Sequence, residues 1–410
     1  MGSGRHVTGQ TEEPWERPDR SGESELSPVG VDGPFGLPAI WLRDNCRCAE
    51  CCDPGTGARL TSISDLSASV SITAVRQAGN RIEIEFGPDR HLGVYDADWL
   101  GQFGPAAGAG PGRDASRPAV MAGADDGRSE DAKQLWDAAG IAGAFPQGSW
   151  PLYQAESAHR QACLRAVLRD GFVVLTDMPR EAGAVLAVAQ SIGAVRETER
   201  GRVVDVRARP AQSAPAGRPR PRALRTGASF RDPLLTVMVL GCLDDATGDA
   251  VGAESTLVDG FRAAAALRAE QPARFAVLAG TPVTFARADA RADLRATRPV
   301  ISVDLRGRIR EVHFASRYLA PLRGPASEVV AFYDAYRSFG QVLERPELTL
   351  TFRLRPGDCL VLDNTRILHG PTDVTDAGQR HMQKCWTDLD GLASNLAMLE
   401  RRQHNGSARH

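Results

Sequence analysis

The sequence predicts a mainly β fold with flanking helices, α+β in class, and three stretches carry that expectation. Residues 81–86, Arg-Ile-Glu-Ile-Glu-Phe, alternate charged and apolar side chains as a strand with one buried face does. Residues 359–370, Cys-Leu-Val-Leu-Asp-Asn-Thr-Arg-Ile-Leu-His-Gly, follow the turn signal Pro356-Gly357-Asp358. They read as one short buried strand that carries Asn364, Arg366 and His369 to its far end. Residues 328–343 place Val329, Val330, Phe332, Tyr333, Tyr336, Phe339 and Val342 at helical spacing, a stripe suited to packing on a barrel rather than to holding a cofactor.

Composition narrows the classes. A chain of 410 residues with 42% hydrophobic side chains has material for two or three ordinary cores. A net charge of −2 argues against nucleic acid or an anionic membrane as partner. No apolar run approaches the roughly 18 residues of a membrane span, and residues 1–36 lack the apolar centre of a signal peptide, so a cytoplasmic location is expected. Lysine occurs only at Lys133 and Lys384 among 49 basic residues, which suggests a GC-rich bacterial genome and speaks against Schiff-base chemistry. Eight cysteines in a chain of this size are not a secreted disulfide framework, and four of them crowd into residues 46–52, a pattern that suggests metal.

In chain order, residues 1–36 are rich in Gly, Ser, Pro, Glu and Arg and read as a disordered tail. A small β unit over residues 37–100 then carries Cys46-x-Cys48-x-x-Cys51, with His91 after the alternating strand. Three thiolates and one imidazole satisfy tetrahedral zinc in a closed, structural site; Cys52 is spare. Residues 101–150, rich in Gly, Ala, Pro and Asp, read as a linker with a weak helix near 130–138. A helix over 153–168, a strand over 171–175 and a helix over 181–192 follow. Later, helices over 261–270 and 273–278 are interrupted at Pro272, which suits the first turn of the second.

Trp41-Leu42-Arg43-Asp44-Asn45-Cys46, the cysteine spacing, and Tyr95-Asp96-Ala97-Asp98-Trp99-Leu100 resemble the N-terminal domain of the gamma-butyrobetaine hydroxylases. That resemblance implies zinc on Cys46, Cys48, Cys51 and His91, and a homodimer. It continues through Val204-Asp205-Val206-Arg207, Arg231-Asp232-Pro233, Val258-Asp259-Gly260-Phe261, Asp363-Asn364, Leu368-His369-Gly370 and Arg380-His381, covering roughly residues 38–400 in order. It implies a double-stranded β-helix, or jelly-roll, barrel over residues 151–400, of the kind found in the Fe(II)/2-oxoglutarate-dependent oxygenases of the taurine dioxygenase superfamily. His369 then matches the last iron ligand, Arg380 matches the residue that pairs with the distal carboxylate of 2-oxoglutarate, and Ser255 is assigned to the same site.

The pattern breaks in the pocket. These oxygenases hold iron with two histidines and one carboxylate. Counting back from Phe230-Arg231-Asp232-Pro233, the histidine and aspartate of the family's His-x-Asp motif fall on Arg225 and Gly227. A guanidinium has no lone pair to give, so iron is not expected, while 2-oxoglutarate without metal stays open. The aromatic cage for a trimethylammonium group is replaced around Glu199-Arg200-Gly201. A pocket holding Arg200, Arg225, Phe230, His369 and Arg380 would favour an acidic small molecule. The alternative is that Arg200 and Arg225 belong to a solvated arginine-rich loop over 218–231. Two functional expectations follow: a pseudo-oxygenase or repurposed enzyme that binds an anion, with Arg225 and His369 as its reactive pair, alone or as a heterodimer with an active homologue; or an active dioxygenase with a noncanonical metal site.

Overall fold

The computed structural model describes residues 24–26, 33–53, 57–104, 133–207, 224–245, 254–370 and 380–407. The loop around Arg218, most of the expected linker and nearly all of the N-terminal tail lie outside the described residues. The described parts of the tail are residues 33–36 and β1 (Ser24–Leu26), which pairs antiparallel with the next strand, so these three residues are not the free coil their composition suggests.

After α1 (Ala39–Asp44) come β2 (Ser71–Ala78), β3 (Arg81–Gly87), β4 (His91–Asp96) and α2 (Ala97–Gly101). The strands form one sheet in the order β1-β2-β3-β4. The alternation read in residues 81–86 appears as buried Ile82, Ile84 and Phe86. Asp96 caps α2, its carboxylate accepting from Trp99 N at 2.8 Å, which stops β4 and starts the helix.

Of the expected linker, residues 101–104 and 133–150 are described. Its helix, α3 (Ala138–Gly143), begins eight residues later than composition suggests, because the Asp137 carboxylate accepts from Gly140 N and fixes the N-terminus there. Trp136 is buried and its Nε1 donates to Asp170 O at 2.7 Å. Next come β5 (Gln147–Ser149), α4 (Trp150–Ala155) and α5 (Ser157–Asp170); the single helix expected over 153–168 is two, parted at an extended Glu156. Gly171 ends α5 in the left-handed region at φ 88°, where a side chain would also strike Ile367.

The chain continues through β6 (Phe172–Thr176), α6 (Ala184–Ile192), β7 (Val204–Arg207), β8 (Val237–Asp245), β9 (Ser255–Asp259), α7 (Gly260–Glu270) and α8 (Pro272–Gly280). Pro272 takes the first turn of α8, as expected. Two hairpins follow, β10 (Pro282–Asp289) with β11 (Ala292–Pro299), and β12 (Ile301–Val303) with β13 (Ile309–Val312). Then come α9 (Ala326–Leu343), β14 (Thr349–Phe352), β15 (Cys359–Asp363), β16 (Ile367–His369), β17 (Arg380–Thr387) and α10 (Leu389–Ser407).

Two sheets form the barrel, a large one in the order β5-β6-β15-β8-β17-β7 and a small one in the order β14-β9-β16. Residues 359–370 are therefore not one strand. The Asp363 carboxylate accepts from Thr365 N at 2.8 Å and from Thr365 Oγ1 at 2.6 Å, turning the chain so that β15 lies in the large sheet and β16 in the small one. Arg366, within that turn, is fully buried against Asp259 at the end of β9. The crossover aims His369 into the barrel.

The two parts share a core. One continuous apolar cluster runs from Trp41, Leu42 and Phe86 to Phe332, Tyr336 and Leu368. Helix α9 buries its stripe, except Val330, against both halves, and Tyr333 donates to Asp44 Oδ2 at 2.8 Å. Among the described residues no helix is long and apolar enough to cross a membrane.

Candidate functional site

The first site is the cluster Cys46, Cys48, Cys51 and His91. One ligand atom from each lies within 4.8 Å of all the others. The three sulfurs stand 3.2, 3.7 and 3.6 Å from His91 Nε2. Tetrahedral zinc with Zn–S near 2.3 Å and Zn–N near 2.05 Å demands an S···N separation of about 3.6 Å. The four residues fit zinc. Arg43 Nη1 donates to Cys51 Sγ at 3.2 Å, and Asp89 holds the same guanidinium at 3.0 and 2.9 Å, so a charge-assisted contact supports the thiolate from behind. The hydrogen bond from Cys46, then His91 and Arg43, lowers the Cys51 thiol to about 3. Cys52 stands outside the group.

The second site is in the barrel. Arg225 N donates to His369 O, and His369 N donates to Arg225 O, both at 3.1 Å. A pair that exchanges both bonds places its side chains on one face, so the guanidinium and the imidazole stand side by side. Thr226 turns the other way, its Oγ1 donating to Val312 O at 2.8 Å. Gly227 returns to the His369 side, where a Cβ would lie 2.8 Å from the Trp386 ring, 2.9 Å from Asn364 Oδ1 and 3.3 Å from His369 Cε1. Asn364 locks this backbone: its Oδ1 accepts from Gly227 N, and its Nδ2 donates to Gly227 O and Leu235 O, each at 2.8 Å. The space beside His369 that a side chain at 227 would need is taken.

His369 Nδ1 is buried and has no hydrogen-bond partner among the described residues. Burial, then the charges of Arg225 and Lys384, hold its pKa well below the usual histidine value. Strand β17 contributes that second cation. Arg380, Met382, Lys384 and Trp386 alternate onto one face, and Trp386 reaches Gly227 from it. The opposite face meets α6, where Gln383 Oε1 accepts from Gly183 N at 2.7 Å and Cys385 contacts Val185 O. Desolvation first, then Arg225, Arg200 and Arg287, lowers Lys384 to about 8.

The other expected residues are distributed around this pair. Ser255 Oγ is buried without a partner among the described residues. Arg380 is buried and engaged: its Nη2 donates to Leu354 O at 3.0 Å and its Nε lies 3.8 Å from Asp245 Oδ2. Arg200 stays 46% exposed at the rim, 3.7 Å from Asp289 and 3.9 Å from Glu199. Phe230 packs edge-on against Tyr318 at 4.9 Å, with the Arg287 guanidinium 5.5 Å from its ring centre. Glu199 is paired with both Arg231 and Arg287. The structure thus joins Arg225 to His369 and leaves Arg200 in a rim of ion pairs. Sequence reasoning missed Lys384, although the alternation of 380–387 places it between Met382 and Trp386 on the Arg380 face.

Among the described residues, the zinc-type cluster is the one group of three or more His, Cys, Asp or Glu side chains that converges. Among the described residues His369 belongs to no such group.

A jelly-roll barrel joined to a Cys3His β unit defines a class, and comparison with known proteins gives its family. The model for the taurine catabolism dioxygenase TauD, TfdA family matches residues 138–386, and that for the gamma-butyrobetaine hydroxylase-like N-terminal domain matches residues 32–101. Gamma-butyrobetaine dioxygenase of Pseudomonas sp. (strain AK-1) is 32% identical over 371 residues, 88% of this chain and 90% of that protein. The Homo sapiens gamma-butyrobetaine dioxygenase is 26% identical over 90% of this chain and 92% of that protein. Trimethyllysine dioxygenase of Meyerozyma guilliermondii is 23% identical over 88% and 89%. A solved putative alpha-ketoglutarate-dependent taurine dioxygenase from Burkholderia xenovorans aligns with TM-score 0.43 and 15% identity over 57% of this chain and 82% of that one. The chain belongs to the gamma-butyrobetaine hydroxylase-like branch of the TauD/TfdA dioxygenase family.

Proposed function

We propose that the barrel is an iron-free pocket that binds a small carboxylate anion, and that the protein performs no iron- and 2-oxoglutarate-dependent hydroxylation. The observation that carries this reading is the Arg225–His369 pair with Gly227 beside it. A permanent cation next to the imidazole opposes a divalent metal, and packing by Trp386 and Asn364 opposes a carboxylate at 227. Arg225 and Lys384 have no acidic partner within salt-bridge distance among the described residues, so an incoming anion supplies the countercharge. Arg225 is the proposed carboxylate clamp, Ser255 a neutral donor, and Arg380 a second, already shared cation. Arg200 and Phe230 form the rim, where a trimethylammonium group would meet guanidinium rather than ring faces.

The named relatives are dioxygenases, and that favours a second reading, an active oxygenase whose metal site is built differently. The experiment that separates the two is an anaerobic Fe²⁺ titration together with a succinate assay on 2-oxoglutarate. No saturable iron binding and no succinate above background support the anion pocket; turnover supports the oxygenase. Calorimetry with glutarate, compared between the parent protein and Arg225→Ala, tests the clamp directly. The N-terminal unit is proposed to hold structural zinc, and the chain to act in the cytoplasm, as a homodimer or beside an active homologue.

A further inference from the structure

We propose that Lys384 is the reactive amine of this pocket and captures the ketone carbon of a 2-oxo acid as an imine, with Arg225 pairing to the carboxylate of the same molecule. This rests on the anion-pocket reading and extends it from binding to covalent chemistry. Three observations meet at one place. Lys384 lies on the inner face of β17 between Met382 and Trp386, its Nζ 5.8 Å from the Trp386 ring centre. Trp386 closes over Gly227, whose Cβ position is 3.3 Å from His369 Cε1, and the charges of Lys384 and Arg225 both act on His369, so the three groups form one cluster. No carboxylate lies within salt-bridge distance of Lys384 among the described residues, and His369 Nδ1 beside it is buried without a partner.

An amine in that setting is a nucleophile rather than a countercharge. Desolvation and neighbouring guanidinium groups are two ways a lysine is activated toward carbonyls, and both act here. At a pKa of about 8, roughly one Lys384 in eleven is neutral at pH 7, against about one in three thousand for an ordinary lysine. The step balances without an oxidant or reductant. The neutral amine forms a C–N bond to the ketone carbon, the carbonyl oxygen takes up the amine protons and leaves as water, and the resulting imine is protonated. His369 Nδ1, buried without a partner among the described residues, is the ring nitrogen that relays those protons. Arg225 holds the carboxylate adjacent to the carbon under attack, the feature that distinguishes a 2-oxo acid from a simple ketone.

With only Lys133 and Lys384 in the chain, the test is clean. The full-length, zinc-loaded protein is incubated with 2-oxoglutarate and sodium cyanoborohydride, then analysed by intact mass and peptide mapping, with glutarate calorimetry in parallel. The expected result is one reduced adduct per chain on Lys384, absent in K384R, reduced at least about tenfold in R225A, and growing with pH to half its maximal rate near 8. K384R must retain zinc and a cooperative melt, so that its silence reports the amine and not the fold. An adduct on Lys133 or the N-terminus to the same extent overturns the proposal. Glutarate binding without an adduct on Lys384 also overturns it but leaves the anion pocket standing, whereas failure of both removes the two readings together. An adduct on Lys384 that R225A does not diminish overturns the role given to Arg225.

Discussion

Arg225 and His369 meet as a doubly hydrogen-bonded pair across 3.1 Å backbone contacts, so whatever happens to the charge of one is felt by the other. His369 is held below its unfolded pKa by burial, Arg225 and Lys384. Below about pH 6.5 the unfolded chain gains a proton at this position that the folded chain refuses, so this contribution is fully present above 6.5 and is lost as pH falls. Arg225→Ala is expected to flatten the fall in melting temperature between pH 7 and 5, and His369→Gln to flatten it further. A parent protein with the same slope as His369→Gln would sink the argument.

Placing at 225 and 227 the ligands that the family resemblance implies is not expected to confer iron binding. In the double variant Arg225→His with Gly227→Asp, the new Cβ at 227 meets a rigid indole at 2.8 Å and a hydrogen-bonded amide oxygen at 2.9 Å. Overpacking of this kind costs about 1–3 kcal/mol and pushes the carboxylate out of line. Adding Trp386→Ala opens the space, and only that triple variant is expected to bind Fe²⁺ in an anaerobic titration. Tight iron binding by the double variant alone would show that the pocket yields more readily than its packing implies.

For the N-terminal unit, Cys48→Ser is expected to lose zinc and cooperative folding together, since structural zinc binding is folding free energy. Arg43→Ala removes only the donor behind Cys51 and should weaken zinc affinity by about 10–100-fold while leaving the four ligands in place. Competition with a chromophoric chelator reads both. Folded parent protein with no zinc by elemental analysis would refute the assignment.

How far these features were legible depends on their range. The Cys3His set and the stripe of α9 were readable because each is signalled by local spacing, and the barrel was readable from motifs in family order. The division of residues 359–370 into two strands was not, since it rests on the Asp363 carboxylate turning the chain onto Thr365, and a continuous apolar run hides such a turn. The shared core of the two parts was hidden for a similar reason: the Asp44–Tyr333 contact joins residues 289 positions apart. Lys384 was overlooked because its low count argued against it, although strand alternation alone placed it beside Trp386.

The crossover that aims His369 depends on one buried ion pair. Arg366 Nε and Nη2 donate to Asp259 Oδ1 and Oδ2 at 3.0 and 2.7 Å, with both side chains 0% exposed, and Nη1 donates to Arg169 O at 2.7 Å. Asp259 has a second duty, since its Oδ1 also accepts from Phe261 N at 3.0 Å to cap α7. Asp259→Asn keeps the size and an oxygen for the cap, but turns an NH2 toward Trp136 N and Arg366 Nη2, so it removes the charge and the hydrogen bonds at Oδ2 together. It removes the paired countercharge of a buried guanidinium, a loss expected to cost about 3–5 kcal/mol. Pairing it with Arg366→Met removes the stranded charge and is expected to recover a good part of that stability, because an apolar side chain of similar length tolerates the site. Because Arg366 precedes His369 by three residues, Asp259→Asn should also lower trapping at Lys384 under conditions where the protein remains folded. Urea unfolding of the single and double variants measures the first effect. A single variant within about 1 kcal/mol of the parent would mean that the pair does not hold the crossover.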